Sequence, residues 1–407
     1  MASQRVAYFG PGPSALPTSV LEEAAKGLLN FESTGIGIAE ISHRSKEFSA
    51  FVTNLEQLVR TQLDVPPTHH ILFTQGGATT QFSAVVMNML ARYRLLHPET
   101  RADDLKMDYV LTGSWSKKAA EEATRLGGGR VHVVADGRAH SEADKFDNIP
   151  PHDAFTFSED PALIYYCENE TVDGVEFSHE PDSPASFPFH LLNTQKLLPL
   201  VADYSSSFMS RPIPRLADHA VVYAGAQKNI GPAGLTILIV REDCIVDVDA
   251  AAALGAAPVP LMLSWKTLAD SKSMYNTPSV LSIYITGLVL DRMKEQGGLK
   301  YYEELNKKKA MKVYAAVHEG QNKGVFRKKV KDGSESWMNV VFEVLGDGAE
   351  KRFLEGAEKK GMKGLKGHRS VGGIRVSLYN AITEEQADAL VQYMQDFVAE
   401  ETKLATA

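Results

Sequence analysis

Between residues 45 and 240 the chain alternates short apolar runs with stretches of helical period, and this constrains its fold more than any other feature. Residues 45–62 place Phe48, Phe51, Val52, Leu55, Leu58 and Val59 on one helical face. His70 to Thr74 reads as a strand, and a second helix follows with Phe82, Val85, Val86, Met89 and Leu90 on its apolar side. Strands are then predicted at Asp108–Thr112, Val131–Ala135, Ala162–Cys167, Leu200–Asp203, Ala220–Ala224 and Leu235–Val240, with a helix at Ser116–Leu126. Such alternation predicts an α/β fold with a mostly parallel sheet flanked by helices.

The pattern changes after about residue 285. Lysine-rich helices are predicted at Tyr301–Glu319 and Ala349–Lys360, with strands at Met338–Val344 and Gly373–Leu378. A last helix runs from a Thr383 cap, with Gln386 three residues on, to about Glu400. A chain of 407 residues exceeds the roughly 250–300 at which one core stops growing. The expected division is an irregular Gly/Pro-rich arm over 1–18, a large domain over 19–285 and a smaller α+β domain over 286–407.

Apolar residues make up 44% and charged residues 23%, which fits a globular chain rather than a disordered one. The net charge of −8 disfavours a nucleic-acid or anionic-membrane partner, since both need a basic footprint. It leaves room for a local cationic pocket. Two cysteines, Cys167 and Cys244, are too few for a disulfide framework and suit a reducing compartment. With no signal-like or membrane-length apolar run, a cytoplasmic protein is expected. No metal ligand set is expected.

Three motifs carry chemistry. Lys228 stands beyond an apolar strand, in Ala224-Gly-Ala-Gln-Lys-Asn-Ile-Gly-Pro-Ala-Gly. A desolvated lysine there loses charge and becomes a nucleophilic amine, although by itself it reads more readily as an ordinary surface lysine in a Gly-rich turn. Asp203 ends the strand Leu200–Asp203, where open α/β sheets bind ligands; Asp-x-Ser is also a common helix cap. Gln75-Gly-Gly-Ala-Thr-Thr joins a strand to a helix, so its backbone N–H groups could cradle a phosphate or simply form a tight turn. In this order the three make up what a fold-type-I pyridoxal-phosphate enzyme requires: a phosphate cradle, an acid for the ring nitrogen and a Schiff-base lysine.

The lysine segment resembles that of the phosphoserine aminotransferases, a family of class-V aminotransferases. So do Phe9-Gly-Pro-Gly-Pro, Glu40-Ile-Ser-His-Arg-Ser, Gln81-Phe-Ser-Ala-Val, Thr112-Gly-Ser-Trp-Ser-Lys-Lys-Ala, Glu168-Asn-Glu-Thr-Val-Asp-Gly-Val-Glu-Phe, Tyr275-Asn-Thr-Pro and Gly367-His-Arg-Ser-Val-Gly-Gly-Ile-Arg. The resemblance implies pyridoxal 5'-phosphate as cofactor, with Lys228 as its Schiff base, Asp203 on the pyridinium nitrogen and Trp115 stacked on the ring. Thr171 would bond the ring hydroxyl, and Ala78, Thr79 and Gln227 would hold the phosphate. Asn276 and Thr277 would reach that phosphate from a second subunit, which implies a homodimer with shared active sites. His43-Arg44, also from the second subunit, and His368-Arg369 resemble the phosphate ligands of the substrate, and Arg375 its α-carboxylate ligand. Arginine suits both roles through its planar fork. No side-chain role is assigned to Pro11.

The implied reaction takes L-glutamate and 3-phosphohydroxypyruvate to 2-oxoglutarate and O-phospho-L-serine, a step of L-serine biosynthesis. A cysteine desulfurase of the same fold would need a reactive cysteine on a mobile loop. Cys167 inside a strand and Cys244 just after one do not supply it. A non-catalytic dimeric scaffold would have no need of Lys228, Asp203 and Trp115 together.

Overall fold

The computed structural model describes residues 5–193 and 195–406. Its main body is a seven-stranded sheet. In chain order the strands are β1 His69–Thr74, β2 Lys106–Leu111, β3 Arg130–Asp136, β4 Leu163–Cys167, β5 Leu200–Asp203, β6 His219–Gly225 and β7 Thr236–Arg241. Their spatial order is β1-β7-β6-β5-β4-β2-β3. Only β7 runs antiparallel to its neighbours, so the expectation of a mostly parallel α/β sheet holds.

Every residue of β6 and β7 is buried, as expected for strands covered on both faces. The pleat divides their side chains between two cores. Ile237 and Ile239 join one, with Phe48, Phe51 and Leu55 of helix α2 (Lys46–Gln62); Leu238 and Val240 join the other, with Phe82, Val85 and Met89 of helix α3 (Gly77–Leu96). The first core also takes Val20 and Ala24 from helix α1 (Thr18–Gly27). The second core holds Ala119, Ala120 and Ala123 of helix α4 (Ser114–Leu126). Ser45 starts α2 by accepting the Phe48 N–H at 3.1 Å. Helix α5 (Val280–Glu295) packs on α1 and α2.

A second body carries its own core. Strands β8 Phe326–Lys328, β9 Asn339–Val344 and β10 Ile374–Ser377 form an antiparallel sheet in that order. Helices α6 Gly298–Asn322, α7 Ala349–Lys359 and α8 Glu384–Thr406 supply its other core residues. The Thr383 cap is reciprocal: its N–H donates to Gln386 Oε1 at 3.1 Å and its Oγ1 accepts the Gln386 N–H at 3.3 Å. The helix continues past Glu400 to Thr406.

The N-terminal arm laces the two bodies together. Ala7–Tyr8 pairs with Met362–Lys363, and Phe9 enters the core of the second body. A few residues on, the Ser14 N–H donates to the Gln227 carbonyl at 3.0 Å, beside the candidate lysine.

Candidate active site

The strand ends and the turns after them converge on one cavity of about 200 Å³. Gly76 to Thr79 follow β1, Trp115 follows β2, Cys167 ends β4, Asp203 ends β5, and Gln227 and Lys228 follow β6. Asn169, Thr171, Ser205 and Ser206 complete its wall. The carboxyl ends of parallel strands are where open α/β sheets bind ligands.

Lys228 is half-buried, and its Nζ donates to Thr171 Oγ1 at 2.6 Å. Burial lowers its ammonium below the ordinary lysine range, while the Asp203 charge works in the opposite direction. Burial thus works toward the neutral, nucleophilic amine and Asp203 against it. Its segment is pinned on three sides. Ser14 Oγ donates to the Lys228 carbonyl, Asn229 Nδ2 donates to the Ser206 carbonyl at 3.0 Å, and Asn229 Oδ1 accepts the Asn380 N–H at 3.1 Å. Gly12, at φ +124°, lies where a Cβ would come within 3.2 Å of Lys228 Cγ, so the arm passes close only because it lacks a side chain there.

Asp203 is 3% exposed. Burial raises its carboxyl above the usual range, and hydrogen bonding to Ser205 restrains the rise. Its Oδ1 accepts the Ser205 N–H at 2.8 Å.

Trp115 lies in the first turn of α4, and two carboxylates hold that turn. Glu170 accepts the Trp115 and Ser116 N–H groups at 2.8 Å each, and Asp173 accepts the Ser114 N–H at 2.7 Å. Unpaired N–H groups and the helix dipole favour anions there. Burial, reinforced by the Asp173 charge, raises Glu170 to about 7. The ammonium of Lys118 stands 4.4 Å from the Trp115 ring centroid, and that of Lys228 5.8 Å. Sequence reading missed Glu170 and Asp173. The signal was a Ser-Trp-Ser helix start facing a run with three acids, Glu168, Glu170 and Asp173.

At the start of α3, Gly76 (φ +98°) and Gly77 (φ +64°) adopt the left-handed conformation that favours glycine. They turn the chain so that the free N–H groups of a helix N-terminus line the cavity wall, a ready anion site.

The residues assigned to substrate fall into two groups. Arg375, on β10, reaches the site directly: its Nη1 donates to the Thr171 carbonyl at 3.3 Å, and its buried Nε has no partner. His368 lies in the loop that leads into β10. Burial lowers the His368 imidazole, and the charges of Arg375, Lys118 and Arg369 push it the same way, so these cations gather near one another. Arg369 is exposed. His43 and Arg44 lie before α2, and among the described residues neither side chain bonds a cavity-lining group. Asn276 and Thr277 are exposed, and the Thr277 carbonyl accepts from Gln75 Nε2 at 3.3 Å at the edge of the phosphate loop. Both cysteines are buried thiols, so no mobile cysteine is offered.

The family model for class-V aminotransferases matches residues 6–390. The chain is 40% identical to the phosphoserine aminotransferase of Pseudomonas aeruginosa, over 98% of this chain and 99% of that one. It is also 40% identical to that of Nitrosomonas europaea, over 97% and 98%. The solved phosphoserine aminotransferase of Bacillus circulans subsp. alkalophilus superposes with a TM-score of 0.84 at 36% identity, covering 98% of this chain and all of that one. The pyridoxal-phosphate-bound enzyme of Trichomonas vaginalis gives 0.81 at 34%, covering 96% and 100%. The chain belongs to the class-V aminotransferases. Within them it belongs to the phosphoserine aminotransferase family.

Proposed function

We propose that this chain moves the amino group of L-glutamate to 3-phosphohydroxypyruvate, giving O-phospho-L-serine and 2-oxoglutarate, with pyridoxal phosphate bound in the Lys228 cavity of a homodimer. The observation that carries this reading is the enclosure of the Lys228 amine, the buried Asp203 carboxyl and a helix N-terminus in one cavity.

The residues present fit the cofactor. Trp115 Nε1 and Asn169 Oδ1 are buried in the cavity wall without partners, so the wall has polar capacity to spare. The α3 N-terminus, with Ala78, Thr79 and Gln227, would hold the phosphate, Asp203 the ring nitrogen, and Thr171 the ring hydroxyl. When bound, pyridoxal phosphate supplies a carbonyl for Lys228 to condense with and an electron sink for the substrate Cα. The chain supplies the rest. Lys228 Nζ, oriented by Thr171, would take the proton from the substrate Cα and pass it to the carbonyl carbon of the cofactor. Arg375 binds the α-carboxylate, and its link to the Thr171 carbonyl fixes that anchor relative to the lysine.

His368 and Arg369 bind the phosphate of the substrate, joined by His43 and Arg44 from the second subunit. The position of the latter pair, outside its own chain's cavity, is what a contribution across a dimer requires. Asn276 and Thr277 would likewise serve the second subunit's cofactor phosphate. Two buried free thiols, and no described helix long and apolar enough to cross a membrane, support a cytoplasmic setting.

The test is spectroscopic. The purified protein should be yellow, and its long-wavelength band should fade on adding either L-glutamate or O-phospho-L-serine. L-serine, without the phosphate, should bleach it far more slowly. A colourless protein, or equal rates for the two serines, would refute the reading.

A further inference from the structure

The loop that carries His368 and Arg369 is closed at its base and exposed at its tip. At the base the Gly367 N–H donates to the Gly373 carbonyl at 2.7 Å, and Lys366 bridges Ile374. The fit there is tight: a Cβ at Gly367 would lie 2.2 Å from the Gly372 carbonyl oxygen, and one at Gly373 2.6 Å from that of Phe342 on β9. Within the loop the His368 carbonyl accepts the Val371 and Gly372 N–H groups at 2.9 and 2.8 Å, and His368 Nδ1 bonds Ser370 Oγ at 2.6 Å. The loop is thus a preformed ring standing on two strands. Arg369, Ser370 and Gly372 are exposed, so packing does little to fix the tip.

One bond fixes the tip from outside. Lys329, immediately after β8, donates from Nζ to the Val371 carbonyl at 2.9 Å. Among the described residues no other side chain outside the loop bonds to it. The lysine is itself held. Its side chain is 12% exposed, and Nζ lies 3.8 Å from Glu343 Oε1. Glu343 on β9 is the register partner of Arg327 on β8, and its Oε2 accepts from Arg327 Nε at 2.8 Å. A rung of the sheet therefore fixes Glu343, Glu343 steadies Lys329, and Lys329 reaches the loop just past Arg369. Arg375 is placed differently. It lies within the β10 ladder, opposite Val341 of β9, so its position does not depend on the loop tip.

We propose that Lys329 is a positioning residue for substrate specificity: it holds the loop tip where His368 and Arg369 meet the phosphate of the substrate, and touches no substrate itself. The inference rests on the reading of His368 and Arg369 as phosphate ligands. Without the Lys329 bond the tip samples other positions, and the affinity for a phosphorylated substrate falls in proportion to the time spent away from the competent one. A lost hydrogen bond changes such a population about three- to a hundredfold. The α-carboxylate anchor at Arg375 stays in place, so the loss falls on the phosphate end of the substrate.

The experiment is a pair of stopped-flow half-reactions of the holoenzyme, with O-phospho-L-serine and with L-glutamate, each giving a half-saturation concentration and a limiting rate. Lys329→Met keeps the aliphatic stem and removes the donor. It should raise the half-saturation concentration for O-phospho-L-serine about tenfold, raise that for L-glutamate less, and leave both limiting rates within about twofold. Lys329→Arg, which keeps a donor, should recover most of the loss. A general loosening of the fold would instead act alike on both substrates. Lys329→Gln takes the place of the methionine variant if that one fails to fold. An unchanged half-saturation concentration for O-phospho-L-serine, or an equal rise for both substrates, overturns the proposal. Arg369→Ala separates the two levels. If it distinguishes the substrates while the Lys329 variants do not, only the role of Lys329 falls; if it does not distinguish them, the reading of the loop as the phosphate site has failed.

Discussion

Replacing Glu170 with glutamine measures how the site balances burial against helix capping. Both oxygens of this fully buried carboxyl accept backbone N–H groups of α4, and its pKa stands at about 7 against 4.5 for the free group. The unfolded chain releases this proton near 4.5, so between the two values the folded chain holds more protons. Stability therefore falls as pH rises through that window. The favourable contribution of Glu170 is complete below about 4.5 and lost by about 7. At about 1.4 kcal/mol per unit, the swing is about 3 kcal/mol. Glutamine does not ionise, but its NH2 group replaces one of the two acceptor oxygens and leaves one α4 N–H unpaired, a pH-independent cost of about 1–3 kcal/mol. The stability of Glu170→Gln relative to wild type should therefore rise by about 3 kcal/mol between pH 5 and pH 8, starting from a deficit of about 1–3 kcal/mol near pH 5. Urea unfolding of both proteins, at matched protomer concentration and several pH values, gives the difference directly. A gap that does not change with pH would refute the argument, because it would mean that Glu170 titrates alike folded and unfolded.

Lys228→Ala should fold yet lose transamination; turnover near wild type would remove Lys228 from its role. Arg369→Ala should slow the phosphoserine half-reaction about ten- to a hundredfold and the glutamate half-reaction less, whereas Arg375→Ala should slow both about equally, since both substrates carry an α-carboxylate. Stopped-flow spectra with each amino donor decide this, and equal losses for Arg369→Ala would count against a phosphate-specific pocket. Lys309→Met should cost about 2–4 kcal/mol in thermal or urea unfolding, because the buried ammonium donates to the carbonyls of Leu378, Tyr379 and Ile382 at 2.9, 3.0 and 2.9 Å. Inactive Arg44→Ala and Lys228→Ala chains, mixed so that tagged subunits exchange, should partly regain activity; confirmed heterodimers without it would rule out a shared site.

Periodicity made much of the fold legible. The apolar faces of α2 and α3 and the continuous apolar strands could be read because each buries one regular stripe or a whole strand. Helix α5 escaped because Ile283, Tyr284, Ile285, Val289 and Leu290 bury it on several sides, leaving little amphipathic contrast. Helix α1 escaped because it is short and lacks a side-chain cap at Pro17. At the site, motif order picked out Lys228, Asp203 and the Gly76-Gly77 turn, since each follows a recognisable strand. Glu170, Asp173, Ser14 and Lys329 were not singled out. Their roles depend on contacts across 42 or more residues, the shortest from Lys329 to Val371, and such contacts leave no local signature.

The segment from Glu168 to Glu176 explains why so many of these contacts coincide. Its outer carboxylates share one guanidinium: Arg211 Nη2 donates to Glu168 at 3.0 Å and also to Glu176. One charge cannot satisfy two buried acids equally. Burial opposes ionisation of Glu168, yet the His179 hydrogen bond and the Arg211 charge hold its pKa below the usual range, while burial and the Glu168 charge raise Glu176 to about 7. The segment is thus anchored at both ends, and Asn169 adds a tether beside the first anchor, donating to Ser206 Oγ at 2.8 Å and Asn339 Oδ1 at 3.0 Å. The functional contacts lie between these anchors. Glu170 and Asp173 aim the helix that carries Trp115. Thr171 bonds the Lys228 amine through its hydroxyl and Arg375 through its carbonyl. The Lys228 amine and the Arg375 guanidinium are therefore tied to two atoms of one residue. These two atoms thus link β10 of the second body to the lysine segment of the first, and a shift of either body that breaks the 2.6 Å or the 3.3 Å bond loosens that link.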